Sequence, residues 1–143
     1  MLLAYPASLS RDQDRSTIAK FPDVPEALTS GRDADDALDW AQDALVVALG
    51  GYIEAGRDIP RPSRLRGRQR LVPVPPMVTA KLAIYQAMRD LAVTQVELAT
   101  RLGVDARQIR RLLDLDHNST LPQLAAALTA LGKRLVLDVR DAA

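Results

Sequence analysis

The sequence predicts an α+β protein of two small domains: a mixed strand-and-helix unit over residues 1–74, and an all-helical unit over 75–143 that ends in a strand. Three observations predict it. Short runs of alternating apolar residues and one long helical stripe fill the first half, and residues 77 to about 131 repeat only at helical spacing. Between the two halves stands Pro75-Pro76, a stiff boundary. A chain of 143 residues has room for one respectable core or two small ones. Hydrophobic residues make up 48% of it but aromatics only 3%, so the core must be built from Leu, Val, Ile and Ala.

In chain order, the runs Leu2 to Ser8 and Ser16 to Asp23, parted by the polar LSRDQDR, read as a β-hairpin. A helix follows, because Ala34, Ala37, Leu38, Ala41, Leu45, Ala48, Leu49 and Tyr52 recur at three- and four-residue steps. Asp33 suits its N-cap, and Asp35, Asp36 and Asp39 in its first turns complement the positive end of the helix dipole. Gly56 should stop it. Leu71, Val72 and Val74 read as a last strand, which its prolines confine to a sheet edge.

Four short helices are expected after the linker: 77–92, 94–103, 105–114 and 120–132. Thr94 caps the second, with Glu97 three positions on in the pattern of a capping box. Asp105 caps the third, and Thr120 precedes the fourth with Pro122 in its first turn. The tail KRLVLDVRD alternates Leu135, Leu137 and Val139 with Val136, Asp138 and Arg140, a strand pattern with no neighbouring strand in sequence. Such an edge invites a second chain, so residues 134–140 are expected to pair antiparallel across a homodimer, and no pattern decides between dimer and tetramer.

Charge is segregated. Residues 1–56 carry ten acids and four bases, and residues 57–143 carry fifteen bases and eight acids, although the net charge is only +1. Two surfaces with different partners are implied, one for nucleic acid and one for a cationic protein. The absence of cysteine rules out disulfides and thiolate metal sites and suits a reducing cytoplasm. The N-terminus lacks a signal-peptide pattern, and no apolar run approaches the roughly 18 residues of a membrane span. A cytoplasmic protein without membrane contact is expected.

The stretch TQVELATRLGVDARQIRRLL, residues 94–113, carries the sharpest motif. A helix-turn-helix needs a small residue where its helices cross, a residue tolerant of positive φ in the turn, and a branched aliphatic re-entering the core. Ala99, Gly103 and Ile109 fill those places, with Leu98, Val104 and Leu112 in support. With its flanking helices, the region 77–132 resembles the lambda-repressor-like (XRE) DNA-binding family, whose recognition helix enters the major groove by its N-terminal end. The resemblance places Ala106, Arg107 and Arg111 on the groove-facing side, with Gln108 and Arg110 beside it. Arg107 can give guanine two hydrogen bonds, and Ala106 can meet a thymine methyl. Gln95 and Asn118 stand where phosphate contacts are made.

The N-terminal half resembles a second family, the HicB antitoxins. Phe21-Pro22-Asp23-Val24-Pro25, Thr29-Ser30-Gly31, Ala37 and Ile59-Pro60-Arg61-Pro62-Ser63 match its motifs in order. Glu26, where the family usually has glycine, and Arg32, beside the turn, depart from them. The resemblance implies a partial RNase H-like α/β domain followed by a DNA-binding module. It implies as partners a small, basic HicA-like ribonuclease toxin that cleaves mRNA, and operator double-stranded DNA through which the protein represses its own operon. Phe21, Asp23, Val24, Glu26, Asp35 and Asp36 are the candidate toxin-binding residues. A stand-alone transcriptional regulator with a ligand-sensing N-terminal domain stays open as the alternative.

No catalytic residue, metal or cofactor is expected. Two-metal nuclease chemistry needs carboxylates converging from different strands. Here Asp12 and Asp14 fall in a hairpin loop, Asp23 starts a proline-bounded turn, and the remaining N-terminal aspartates cap or line a helix. His117, the only histidine, has no second ligand of its kind. Six arginines and one acid between residues 57 and 70 leave three readings open: DNA phosphate contact, contact between subunits, or a solubilising loop.

Overall fold

The structure, a computed structural model, describes residues 3–142. Leu2, expected to start the first strand, lies outside them. Strand β1 (Ala4–Arg11) turns back into β2 (Thr17–Lys20) in antiparallel register, with Arg11 opposite Thr17 and Ser8 opposite Lys20. The loop between them is closed by Asp14, whose carboxylate accepts from the backbone N–H and hydroxyl of Ser16.

Thr29-Ser30-Gly31, the turn that the family resemblance implies, is instead a strand, β3 (Leu28–Gly31), paired antiparallel with β2. Its composition hides it. Thr, Ser and Gly are turn formers, and Leu28 is the lone large apolar residue. Helix α1 (Ala34–Glu54) starts where Asp33 caps it by accepting from the Asp36 N–H at 2.9 Å, and the chain beyond its end turns at Gly56, φ 66°. Ala37, Ala41, Leu45, Leu49 and Tyr52 form its buried stripe, closing with Tyr5, Ala7, Ala19 and Val72 into one core. Small side chains there let helix and sheet approach closely: a Cβ on Gly31 would stand 2.3 Å from the Ala37 backbone nitrogen.

Strand β4 (Arg70–Pro73) pairs antiparallel with the free side of β1, giving the order β3-β2-β1-β4 with β4 at an edge, where its proline is tolerated. The linker expected around Pro75-Pro76 is occupied by structure. The Val74 N–H donates to the Leu3 carbonyl, α2 (Pro76–Leu91) begins at once, and the two compact units divide inside it, between Thr79 and Ala80.

The second unit holds the rest of α2, then α3 (Gln95–Leu102), α4 (Ala106–Leu113) and α5 (Leu121–Ala130) around Leu82, Ile84, Leu98, Ile109, Leu124 and Leu128. Thr94 caps α3 by accepting from the Glu97 N–H, but the full reciprocal capping box forms at α5 instead, between Thr120 and Gln123. Residues 133–142 form no strand in this chain. A strand exists through its ladder, and this all-helical unit supplies no partner. Leu135 is half-buried, while Val136, Leu137 and Val139 are exposed, Val139 at 94%.

Candidate functional site

The candidate residues fall in both units. In the second unit, α3 ends on Gly103 at φ 65°, whose N–H reaches the Thr100 carbonyl while the Val104 N–H reaches that of Ala99. That reversal places Asp105 to cap α4 by accepting from the Gln108 N–H at 3.0 Å. Ile109, Leu112 and Leu113 then bury one side of α4 against Leu98 and Ala99 of the unit's core. The other side carries Arg107, Gln108, Arg110 and Arg111, all exposed, with Ala106 half-buried at the N-terminal end. Gln95 and Asn118 are exposed as well. The helix therefore presents four polar or cationic side chains on a rigid, buried seat.

The sequence reading missed Lys81. It is the one fully buried charged residue among those described. Its ammonium donates to the Arg111 carbonyl at 2.7 Å and to the Ser119 hydroxyl at 2.9 Å. The first bond adds to the Asp114 N–H that the same carbonyl accepts at the end of α4. Burial lowers the lysine's pKa, and the Asp114 carboxylate partly offsets this. Its position was a usable signal, since Lys81 stands three residues after Val78 and four before Tyr85, inside the buried stripe of α2.

In the first unit, Phe21 and Val24 are core residues, Val24 N–H bonding back to the Phe21 carbonyl to form the turn. Asp23, half-buried, accepts from the backbone N–H and hydroxyl of Ser63 at 2.8 and 2.9 Å. Glu26 accepts from the Tyr52 hydroxyl at 2.7 Å and pairs with Arg57 at 3.1 Å; these partners, Tyr52 first, hold its carboxyl below the usual range. The Arg57 guanidinium also lies 4.2 Å from the Tyr52 ring centroid. Asp36 accepts from the Arg32 backbone and guanidinium, and Asp35 is exposed. The candidate acids are thus not one cluster. Asp23 and Glu26 are tied to the 57–63 segment, whereas Asp35 and Asp36 lie in the first turn of α1.

What stands out on α1 is a stripe of which the resemblance flagged only Asp36. Asp36, Asp39, Trp40, Asp43 and Val47 recur at helical spacing, and Trp40 and Val47 are 55% and 74% exposed. Beside it, Leu28 of β3, Ala44, Val47, Ala48, Gly51, Tyr52, Glu26 and Arg57 line an open groove of about 510 Å³. Large apolar side chains among carboxylates on an outer helix face suit a partner that is both cationic and partly apolar. Among the described residues no group of three or more His, Cys, Asp or Glu side chains could hold a metal ion, and no helix is long and apolar enough to cross a membrane.

Comparison with known proteins agrees with the HicB-like motifs of the N-terminal half. Residues 4–83 match the family model described as the HicB-like antitoxin of bacterial toxin–antitoxin systems. Antitoxin HicB 2 of Photorhabdus laumondii subsp. laumondii is 39% identical over 135 residues, covering 94% of this chain and 95% of that protein. Antitoxin HicB 1 of the same organism is 35% identical over 137 residues, 96% of this chain and 87% of that protein. Antitoxin HicB of Escherichia coli (strain K12) is 36% identical over 135 residues, 94% and 98% of the two chains. The chain belongs to the HicB-like antitoxin family.

Proposed function

We propose that this antitoxin binds and blocks a HicA-like, mRNA-cleaving ribonuclease toxin through its N-terminal unit, and represses its own operon by binding operator DNA through its C-terminal unit. The observation that carries the reading is the segregation of charge onto two helices: carboxylates and exposed apolar groups on α1, guanidiniums on α4. We read the first unit, with its strand–strand–strand–helix–strand order, as the partial RNase H-like domain, and α3 and α4 as the paired helices of an XRE-type helix-turn-helix. Arg107 reads bases, Ala106 packs on a thymine methyl, Gln108, Arg110 and Arg111 flank them, and Gln95 and Asn118 hold phosphates.

On the toxin side, Asp35, Asp36 and the α1 stripe face the basic toxin, while Glu26 lines the groove beside them. Phe21, Val24 and Asp23 serve by fixing the turn that places Glu26. The protein acts in the cytoplasm as a homodimer joined through Leu135, Leu137 and Val139.

Two variants of the full chain separate the two activities. Changing Asp39→Asn, Trp40→Ala, Asp43→Asn and Val47→Ser together should abolish growth rescue on co-expression with a HicA-like toxin, while leaving operator repression intact. Changing Arg107→Ala with Arg110→Ala should do the reverse. If the α1 variant is folded and still protects, the toxin does not bind that helix face.

A further inference from the structure

From Ile59 to Arg89 the chain contains no acidic residue, and Arg61, Arg64, Arg66, Arg68 and Arg70 fall within ten positions of one another. All five are exposed, and none of their guanidiniums has an ion-pair or hydrogen-bond partner among the described residues. Arg57, just upstream, differs in being paired with Glu26. The backbone that carries the five is tied to the sheet. The Tyr5 hydroxyl donates to the Pro60 carbonyl at 2.6 Å, Ser63 donates twice to Asp23, and the Gln69 amide reaches the Ser8 hydroxyl at 3.3 Å. A turn through Gly67, φ 55°, is closed by the Arg66 N–H on the Gln69 side-chain oxygen and the Gln69 N–H on the Arg66 carbonyl, and Arg70 opens β4. The result is a dense, uncompensated positive strip on an anchored backbone.

Like charges this close repel, and the repulsion is relieved by a polyanion that brings its own dense charge and releases condensed cations on binding. Two features favour nucleic acid over an acidic protein. Every cation between 61 and 70 is an arginine, whose fork gives phosphate two parallel hydrogen bonds. Leu65 is the only large apolar side chain among them, and no aromatic is present, so the strip lacks the apolar anchors from which protein interfaces draw their affinity. We propose that the Arg61–Arg70 strip is a sequence-independent contact to the phosphate backbone of double-stranded DNA, separate from the bases read by α4. The choice of DNA over RNA rests on the repressor reading: operator bound by the second unit tethers duplex to the chain that carries the strip, whose last arginine precedes α2 by six residues in sequence.

The test is a salt titration of duplex binding by the full chain. The variant Arg61→Gln, Arg64→Gln, Arg66→Gln, Arg68→Gln, Arg70→Gln changes only exposed side chains, and its melting temperature reports that it is folded. Each phosphate contact contributes about 0.9 to the slope of log K against log salt, so the slope should become shallower by about 2–4 and affinity for random-sequence duplex should fall at least about tenfold near 0.1 M salt. The preferred operator sequence should not change. The five-lysine variant, which keeps the charge, should keep most of the slope. Equal slope and affinity in the glutamine variant would overturn the proposal, as would a loss confined to single-stranded RNA. If the wild-type chain shows no preference for operator over random duplex, the repressor reading fails, while the slope difference on random duplex still decides the strip.

Discussion

Tyr5 shows how one buried side chain ties strand, loop and pH response together. Its hydroxyl donates to the Pro60 carbonyl, and burial, reinforced by the charges of Asp23 and Tyr52, pushes its pKa from 10.0 up to about 12. The folded chain therefore keeps a proton that the unfolded chain gives up near pH 10. The stability this group contributes is fully present below pH 10 and is lost as pH rises through about 12. Tyr5→Phe should cost about 1 kcal/mol at neutral pH through the lost hydrogen bond, and should flatten the alkaline decline in urea-unfolding free energy. A decline as steep as in the wild type would show that Tyr5 is not its source. Lys81 works in the opposite sense: its lowered pKa makes its contribution grow with pH in the alkaline range below 10.5, so Lys81→Met should steepen the decline. At the proposed DNA-binding face of α4, Arg107→Ala should weaken operator binding by about 1–3 kcal/mol and relax preference at one base pair, as read by operator selection before and after the change.

Elements were legible where one physical signal dominated. Helix α1 announced itself through a stripe from Ala34 to Tyr52 and an N-cap at Asp33, and the structure puts five residues of that stripe in the core. The turn at Gly103 was legible because left-handed backbone strongly favours glycine. Strand β3 was not, since its four residues have no alternation to detect and owe their conformation to pairing with β2. Gly31 was quoted only as part of a turn motif, but the structure gives it a different reason: α1 begins so close to β3 that a side chain would strike the Ala37 backbone. Gly31→Ala should therefore destabilise the first unit by roughly 1–3 kcal/mol, measurable as a fall in its unfolding free energy with little change in the helices of the second unit. Unchanged stability would mean that α1 can lift from the sheet without loss.

At the scale of the whole molecule, the sequence showed that acid and base are segregated, and the structure shows where each sits: on the outer face of α1, on α4, and on the anchored 61–70 segment. Candidate sites were less legible than the fold, because a motif does not say whether a residue is kept for contact or for packing. Phe21 and Val24 are buried, whereas Trp40 and Val47, which no motif marks, are exposed. The tail belongs to this scale too. Val136, Leu137 and Val139 are apolar and exposed in the single chain, and the proposed homodimer would cover one face of 134–140. Truncation after Lys133 should yield a monomer by light scattering with operator affinity strongly reduced; a truncated dimer that binds as before would move the interface elsewhere. The central proposal, that this chain neutralises a ribonuclease, is tested most directly by titrating the intact protein into a HicA-like toxin while following cleavage of an mRNA. Cleavage should fall to background at one antitoxin chain per toxin, and equally so with Arg107→Ala and Arg110→Ala in place. Cleavage that continues past equivalence with folded protein present would contradict it.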